Sequence, residues 1–270
     1  MGHLTYPPHL CQPDDQKSCA WCCGLYNVRD SNREVLIHIL RARTKSFAET
    51  ERSARAIQYF SEYTKSIENT ELVDPDFYSC EFLGFLDTSE TRVGCMLHPY
   101  ARGNGGIDWR GLSFYGAMAC RGFFCRSHRE LNSAEKRVLL ETIQDWYLYG
   151  LVVSDPDYTK SFFHLATQKL GNRLDMTRLL TPPASEVAYS FFSWKIDWPY
   201  RNKVTIPPGL SNSRLSAARR TDGKKNPAQK SLTAVDLIFN RLGTDFRTPR
   251  ERRKAESEVD RLLSRLQKVM

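Results

Sequence analysis

Between residues 31 and 67 apolar side chains recur every three or four positions, and the pattern breaks where a helix has to end. Ser31 with Glu34 has the spacing of a capping box, and Val35, Leu36, Ile39 and Leu40 continue as a stripe down one face. A second stripe runs through Ala54, Ile57, Tyr59, Phe60, Tyr63 and Ile67, ahead of a stop at Asp74-Pro75. Residues 94–116 then carry too much glycine for a helix or a strand and predict a long ordered loop. Asn132 with Glu135 opens a further helix through Leu139, Leu140, Ile143, Trp146 and Tyr147 to a stop at Gly150. Asp157 caps another, from about Tyr158 to Leu170, closed by Gly171. From Glu186 to Trp194 the periodicity fits helix and strand equally.

At Asn202 the pattern changes. Pro, Gly, Ser, Asn and basic residues dominate as far as Lys230, which predicts a linker or a surface segment. Ser231 precedes a helix through Val235, Leu237, Ile238 and Leu242, ended by Gly243. Thr248-Pro249-Arg250-Glu251 then sets a cap, a proline at the first helical position and a glutamate at the third. Val259, Leu262, Leu263, Leu266 and Val269 keep helical spacing, so this last helix must dock on its own core or on a partner.

The resulting expectation is a mainly α protein. A cysteine-rich, metal-centred N-terminal region with long ordered loops occupies residues 1–130, and a helical, aromatic-rich region packed on it spans 131–200. A basic linker over 201–230 and basic C-terminal helices over 231–270 complete the chain. The helices on either side of residue 50 would fold back as a clasp, bringing the first cysteines to the later ones.

Charge changes this picture only near the end. Residues 201–270 hold 17 basic and 7 acidic side chains, whereas residues 1–200 hold 22 and 24. Attraction to an anionic surface therefore belongs to the last quarter. There the arginines alternate with glutamates from Glu251 to Arg265, as on a solvated helix face, so nucleic acid is the lesser reading and a protein partner on the C-terminal helices the better one. No apolar run approaches the length that crosses a membrane, and the N-terminus reads as no secretory signal; the expected location is the cytoplasm.

All eight cysteines precede residue 126: Cys11, Cys19, Cys22, Cys23, Cys80, Cys95, Cys120 and Cys125. In a reducing compartment such usage points to metal or redox chemistry rather than to a disulfide framework. Cys19-Ala20-Trp21-Cys22 is a Cys-x-x-Cys turn able to aim two sulfurs at one ion, and the adjacent Cys23 serves another ion, another cluster edge or a buried position. Cys120 and Cys125 form a second close pair, and Gly94 beside Cys95 permits tight approach. Sulfur ligands suit zinc and an iron-sulfur cluster alike.

These residues resemble the zinc- or iron-chelating cysteine-rich family of the C-x3-C-x2-CC type, over roughly residues 11–125. Cys19, Cys22 and Cys23 match the end of its first run, Cys80-Glu81-Phe82-Leu83 its second element, Cys95 its third and Cys120-Arg121-Gly122-Phe123 its last. Seven residues rather than three separate Cys11 from Cys19, and His98-Pro99 stands where Arg-Pro is usual. The resemblance implies a cysteine-ligated zinc or iron-sulfur centre. Methyl transfer, associated with some relatives, is not carried over, because no glycine-rich strand-to-helix turn for the methyl donor occurs.

Outside the cysteines, His98 and Asp108 are candidate acid-base groups, and His98 and His128 candidate ligands. Arg102, Asn104 and Arg110 in the glycine-rich loop have the make-up of a phosphate or carboxylate clamp. His3, His9, His38 and His164 read as surface or structural residues. The sequence therefore predicts a metal-binding protein with a structural or redox centre. An enzyme acting on a small anionic or protein substrate, and a protein or RNA interaction module stapled by metal, are the alternatives.

Overall fold

The computed structural model describes residues 10–14, 16–68, 70–202 and 232–270. The expected linker lies almost wholly outside these residues, as do His3 and His9. Helices dominate: α1 (Arg33–Ala48), α2 (Ala54–Ile67), α3 (Gly116–Gly122), α4 (Arg126–Glu130), α5 (Ser133–Thr142), α6 (Trp146–Val153), α7 (Pro156–Leu170), α8 (Ala184–Asp197), α9 (Ala234–Arg241) and α10 (Pro249–Val269). One antiparallel ribbon, β1 (Leu83–Phe85) with β2 (Val93–Cys95), pairs Leu83 with Cys95 and Phe85 with Val93. It interrupts the stretch expected to be loop and helix only.

Two apolar cores lie side by side. The first gathers Leu36, Leu40, Phe47, Ile57, Phe60, Phe82, Phe85 and Val93 from α1, α2 and the ribbon. The second gathers α5, α7, α8, α9 and α10 around Phe162, Phe191 and Phe192. Helix α6 belongs to both: Trp146, Tyr147 and Leu151 face the first core, while Leu148, Tyr149, Val152 and Val153 face the second. Every residue of Trp-Tyr-Leu-Tyr-Gly-Leu-Val-Val is buried, which is what a helix apolar on all sides requires. Gly150 is needed there because an added Cβ would lie 2.1 Å from the Tyr26 hydroxyl oxygen.

Several expected boundaries move. Helix α1 is capped by Asn32, whose Oδ1 accepts from Val35 N–H at 2.9 Å, and Ser31 instead offers its carbonyl to the Tyr147 hydroxyl at 2.9 Å. The helix expected from Asn132 to Gly150 is two. The Asn132–Glu135 capping box forms, but the chain breaks at Ile143, and Asp145 caps α6 by accepting from Leu148 N–H at 2.8 Å. On α2 only part of the expected stripe is buried. Ile57 and Phe60 point inward with Ser61 and Thr64, whereas Tyr59, Tyr63 and Ile67 fall on another face and are exposed. Residues 186–194 are helical, within α8. Helix α9 is capped by Thr233, and Asp155 rather than Asp157 caps α7, with Pro156 at its first position.

The Thr248 cap of α10 is in place, and Val259, Leu262, Leu263 and Leu266 are buried in the second core beside α7 and α8. The last helix thus docks on its own chain. Among the described residues no helix is long and apolar enough to cross a membrane.

Candidate thiol site

Of the four N-terminal cysteines, Cys22 and Cys23 sit on a 3-10 turn, Trp21–Cys23, closed by Gly24 in the left-handed region with φ 82°. A Cβ on Gly24 would lie 2.4 Å from the Tyr78 carbonyl oxygen and 2.7 Å from Ser79 Cα, so only glycine lets the turn approach that strand of chain. The approach lets Cys80 N–H donate to the Cys23 carbonyl at 2.8 Å, while Cys19 N–H donates to the Cys11 carbonyl at 2.8 Å. Trp21 packs on Phe77 with ring centroids 5.8 Å apart and helps hold the turn down.

The adjacent residues Cys22 and Cys23 divide the thiols into two neighbourhoods. Cys22 is within electrostatic range of Cys11, Cys19 and Cys125, and Cys23 within range of Cys80 and Cys95. Cys95 in turn feels Cys120, whose sulfur is 3.8 Å from the Ser113 hydroxyl. Within these neighbourhoods, no three or more His, Cys, Asp or Glu side chains among the described residues form a group able to hold a metal ion. The expected metal-centred N-terminal region, with its zinc or iron-sulfur cofactor, is therefore corrected. Metal ligation demands side chains converging across a small tetrahedron, about 2.3 Å from one point, and these sulfurs are spread over the turn, the ribbon and α3. All eight are thiols rather than disulfides.

Burial sets their acidity. It pushes the Cys11 thiol up to about 12, with Cys22 and Cys125 adding to the rise, and Cys95 up to about 11 despite backbone hydrogen bonds from Leu97 and His98. Cys19, Cys80 and Cys125 are raised for the same first reason. Cys22 goes the other way. The Cys23 thiol donates to it, and this outweighs burial and holds Cys22 below the ordinary thiol range; Cys23, whose proton is engaged, is raised well above it. Cys22 is thus shifted opposite to its neighbours Cys11, Cys19 and Cys125.

The other expected site residues fall on the loop after β2. Asp108 caps the turn Trp109–Leu112 and binds Arg110 at 2.7 Å and Arg121 at 2.5 Å, and Arg110 holds its carboxyl well below the usual range. It is a fixed anion rather than a base. Burial, then Arg110, pushes the His98 imidazole below its ordinary value, and its Nδ1 accepts from Tyr100 N–H at 3.3 Å. Asn104 is buried as a staple: Nδ2 donates to the Met96 and His98 carbonyls at 2.8 and 2.7 Å, and Oδ1 accepts from Arg52 Nε at 2.9 Å. Arg110 is turned onto Asp108, and Arg102 alone of the expected clamp is exposed. His128 stacks on Phe124 with ring centroids 4.6 Å apart.

Sequence reasoning set Cys23 apart from the sulfurs of Cys19 and Cys22, and the structure puts it with Cys80 and Cys95, but the spacing did not show that no metal-holding group results among the described residues. It also missed Arg52, which the chain brings beside the Arg102 loop. Comparison with protein-family models, curated proteins and solved structures finds no match. The resemblance to a metal-chelating cysteine-rich family thus gains support neither from a family model nor from the side-chain geometry.

Proposed function

We propose that this chain is a thiol redox protein in which Cys22 is the reacting sulfur and Cys19 its resolving partner. The observation that carries the reading is the placing of Cys22 against the Cys23 thiol, three residues after Cys19 and in the neighbourhood of Cys11 and Cys125. A thiolate is the attacking form, and a neighbouring protonated thiol is what converts a mixed disulfide into an internal one.

The step balances as thiol-disulfide exchange. The Cys22 thiolate attacks one sulfur of an external disulfide and expels the other half as a thiolate. Cys19 gives its proton to that leaving thiolate and attacks the Cys22 sulfur, which releases the second half. Two protein thiols are oxidised to one disulfide, and one external disulfide is reduced to two thiols. Such reversible chemistry needs a compartment that keeps thiols reduced, such as the cytoplasm.

The test is equilibration of the reduced chain in glutathione buffers of graded potential, followed by disulfide mapping and metal analysis of the same sample. The expected first bridge is Cys19–Cys22. C22S should abolish it and C120S should leave it intact, and alkylation of Cys22 should reach half its maximal rate below the free-thiol pKa of about 8.5. A first bridge elsewhere, eight unreactive thiols, or zinc or iron recovered in stoichiometric amount would each overturn the reading.

A further inference from the structure

A cleft of about 610 Å³ opens between the end of α1, the β1–β2 turn and the loop 101–103. Its basic side chains are Arg41, Lys45, Arg52 and Arg102, and its acidic ones Asp87 and Glu90. Glu90 is already taken, since it accepts from Arg41 Nε at 2.7 Å and Nη2 at 2.6 Å. Asp87 accepts from Thr91 N–H at 3.0 Å and fixes the turn. Among the described residues, Lys45, Arg52 and Arg102 have no carboxylate partner, so the cleft carries uncompensated positive charge.

Arg52 is held in a defined position by neutral acceptors. Nε donates to Asn104 Oδ1 at 2.9 Å and Nη1 to the Phe47 carbonyl at 2.9 Å, with Thr50 also accepting, and the guanidinium lies 4.2 Å over the Phe47 ring. Gly103 comes so close that an added Cβ would be 3.2 Å from Nη2. Nη2 donates to the Arg102 carbonyl at 3.4 Å, so the fork is preorganised, with one Nη2 N–H and its unpaired charge left for outward contacts. A planar guanidinium with two flexible cations beside it suits the several oxygens of a phosphate. Phe85, Leu86 and Met96 give the same cleft an apolar side.

We propose that this cleft binds a small organic phosphate, its phosphoryl group on Arg52, Lys45 and Arg102 and its apolar body along Phe85, Leu86 and Met96. The site is separate from the thiols and stands without them. Phosphate binding also explains why the Arg102 loop is stapled by a buried asparagine: the cation it carries is then presented at a fixed height.

The probes are phenyl phosphate and inorganic phosphate, titrated calorimetrically into the full chain at low salt. Phenyl phosphate should bind saturably and more tightly than inorganic phosphate. K45Q with R102Q, both exposed side chains, should weaken it by about tenfold or more while leaving the thermal unfolding midpoint in place. No binding of phenyl phosphate to the wild-type chain, or binding unmoved by K45Q/R102Q, overturns the site. Equal affinity for the two probes overturns the apolar half of the proposal, because the body would then contribute nothing.

Discussion

The two cores that share α6 hold polar groups in their interiors by opposite means. In the first, sulfurs are kept neutral: burial raises Cys80 and Cys95, and Cys23 is raised first by its hydrogen bond to Cys22 and then by burial. In the second, buried charges are set against partners of opposite sign. Lys195, fully buried in α8, places Nζ 2.7 Å from Asp155 and 3.2 Å from the Arg241 carbonyl; Arg241 binds Asp157, and Asp157 binds Arg126 at 2.5 Å. One network therefore ties α4, α7, α8 and α9 together. The contrast teaches that an interior can lower the cost of a titratable group by neutralising it or by pairing it, and that the two choices leave opposite dependences on conditions.

The largest test of this contrast is Lys195→Ala. It removes the nearer of the two cations at Asp155, leaving Arg241 3.5 Å away, so it should cost about 3 kcal/mol in urea unfolding. Cys80→Ala in the other core removes a neutral group with no charged partner, and should cost less. Equal losses would mean that pairing is not what distinguishes the second core, and a loss below about 1 kcal/mol at Lys195 would mean the charge had found water.

The next effect tests the wall between the cores. Gly150→Ala puts a methyl group against the Tyr26 ring, which is itself buried and donates to the Tyr147 carbonyl at 3.1 Å. Overpacking of this kind costs about 1–3 kcal/mol. Adding Tyr26→Phe removes the closest atom, so the double variant should recover part of the loss in the same measurement. Ring carbons that would still lie 2.9–3.0 Å from the methyl group keep the rescue incomplete. A double variant no more stable than Gly150→Ala would show that the hydroxyl is not the obstacle.

How much of this was legible in the chain follows from how local each cause is. The caps at Thr248 and at Asn132 with Glu135 were readable, because both partners lie within one turn. So was the buried stripe of α10. The break before α6 was readable only in hindsight of its chemistry: Asp145 is a good cap, but Ile143 and Trp146 continue the apolar period across it. The Lys195 network joins residues tens of positions apart, and nothing around Lys195 in sequence announces Asp155 or Arg241. The cysteines were read as metal ligands from their spacing and from a family resemblance, and Cys23 was already set apart from Cys22; what spacing could not show is that no three such side chains among the described residues converge on a point. In the glycine-rich loop, Arg102 was found from its own surroundings. Arg52 was not, since its role depends on α2 starting where it does.

The smallest effect, and the one that separates the cores most cleanly, is pH. Asp157 is held below the usual carboxylate range, burial opposing the bonds to Arg126 and Arg241 that lower it. Its contribution is present above the unfolded carboxylate pKa of about 3.9 and is lost as pH falls through the lower folded value, so acid should loosen the second core. Cys95 in the ribbon behaves in the reverse sense. Its folded value of about 11 exceeds the unfolded one, so its contribution is whole below pH about 8.5 and declines as pH rises, by at most about 1.4 kcal/mol per pH unit. Lys195, pulled below its ordinary range by burial against the attraction of Asp155, moves oppositely to the thiols, because its cost is relieved as pH climbs. Between about pH 8.5 and 10, before the buried tyrosines titrate, amide exchange read by mass spectrometry and corrected for its base-catalysed intrinsic rate should therefore accelerate in the ribbon and the helices packed on it while α7 and α8 hold. Uniform acceleration across both cores would mean that the shared helix couples them into one cooperative unit, and the contrast in their interiors would then have no separate expression in stability.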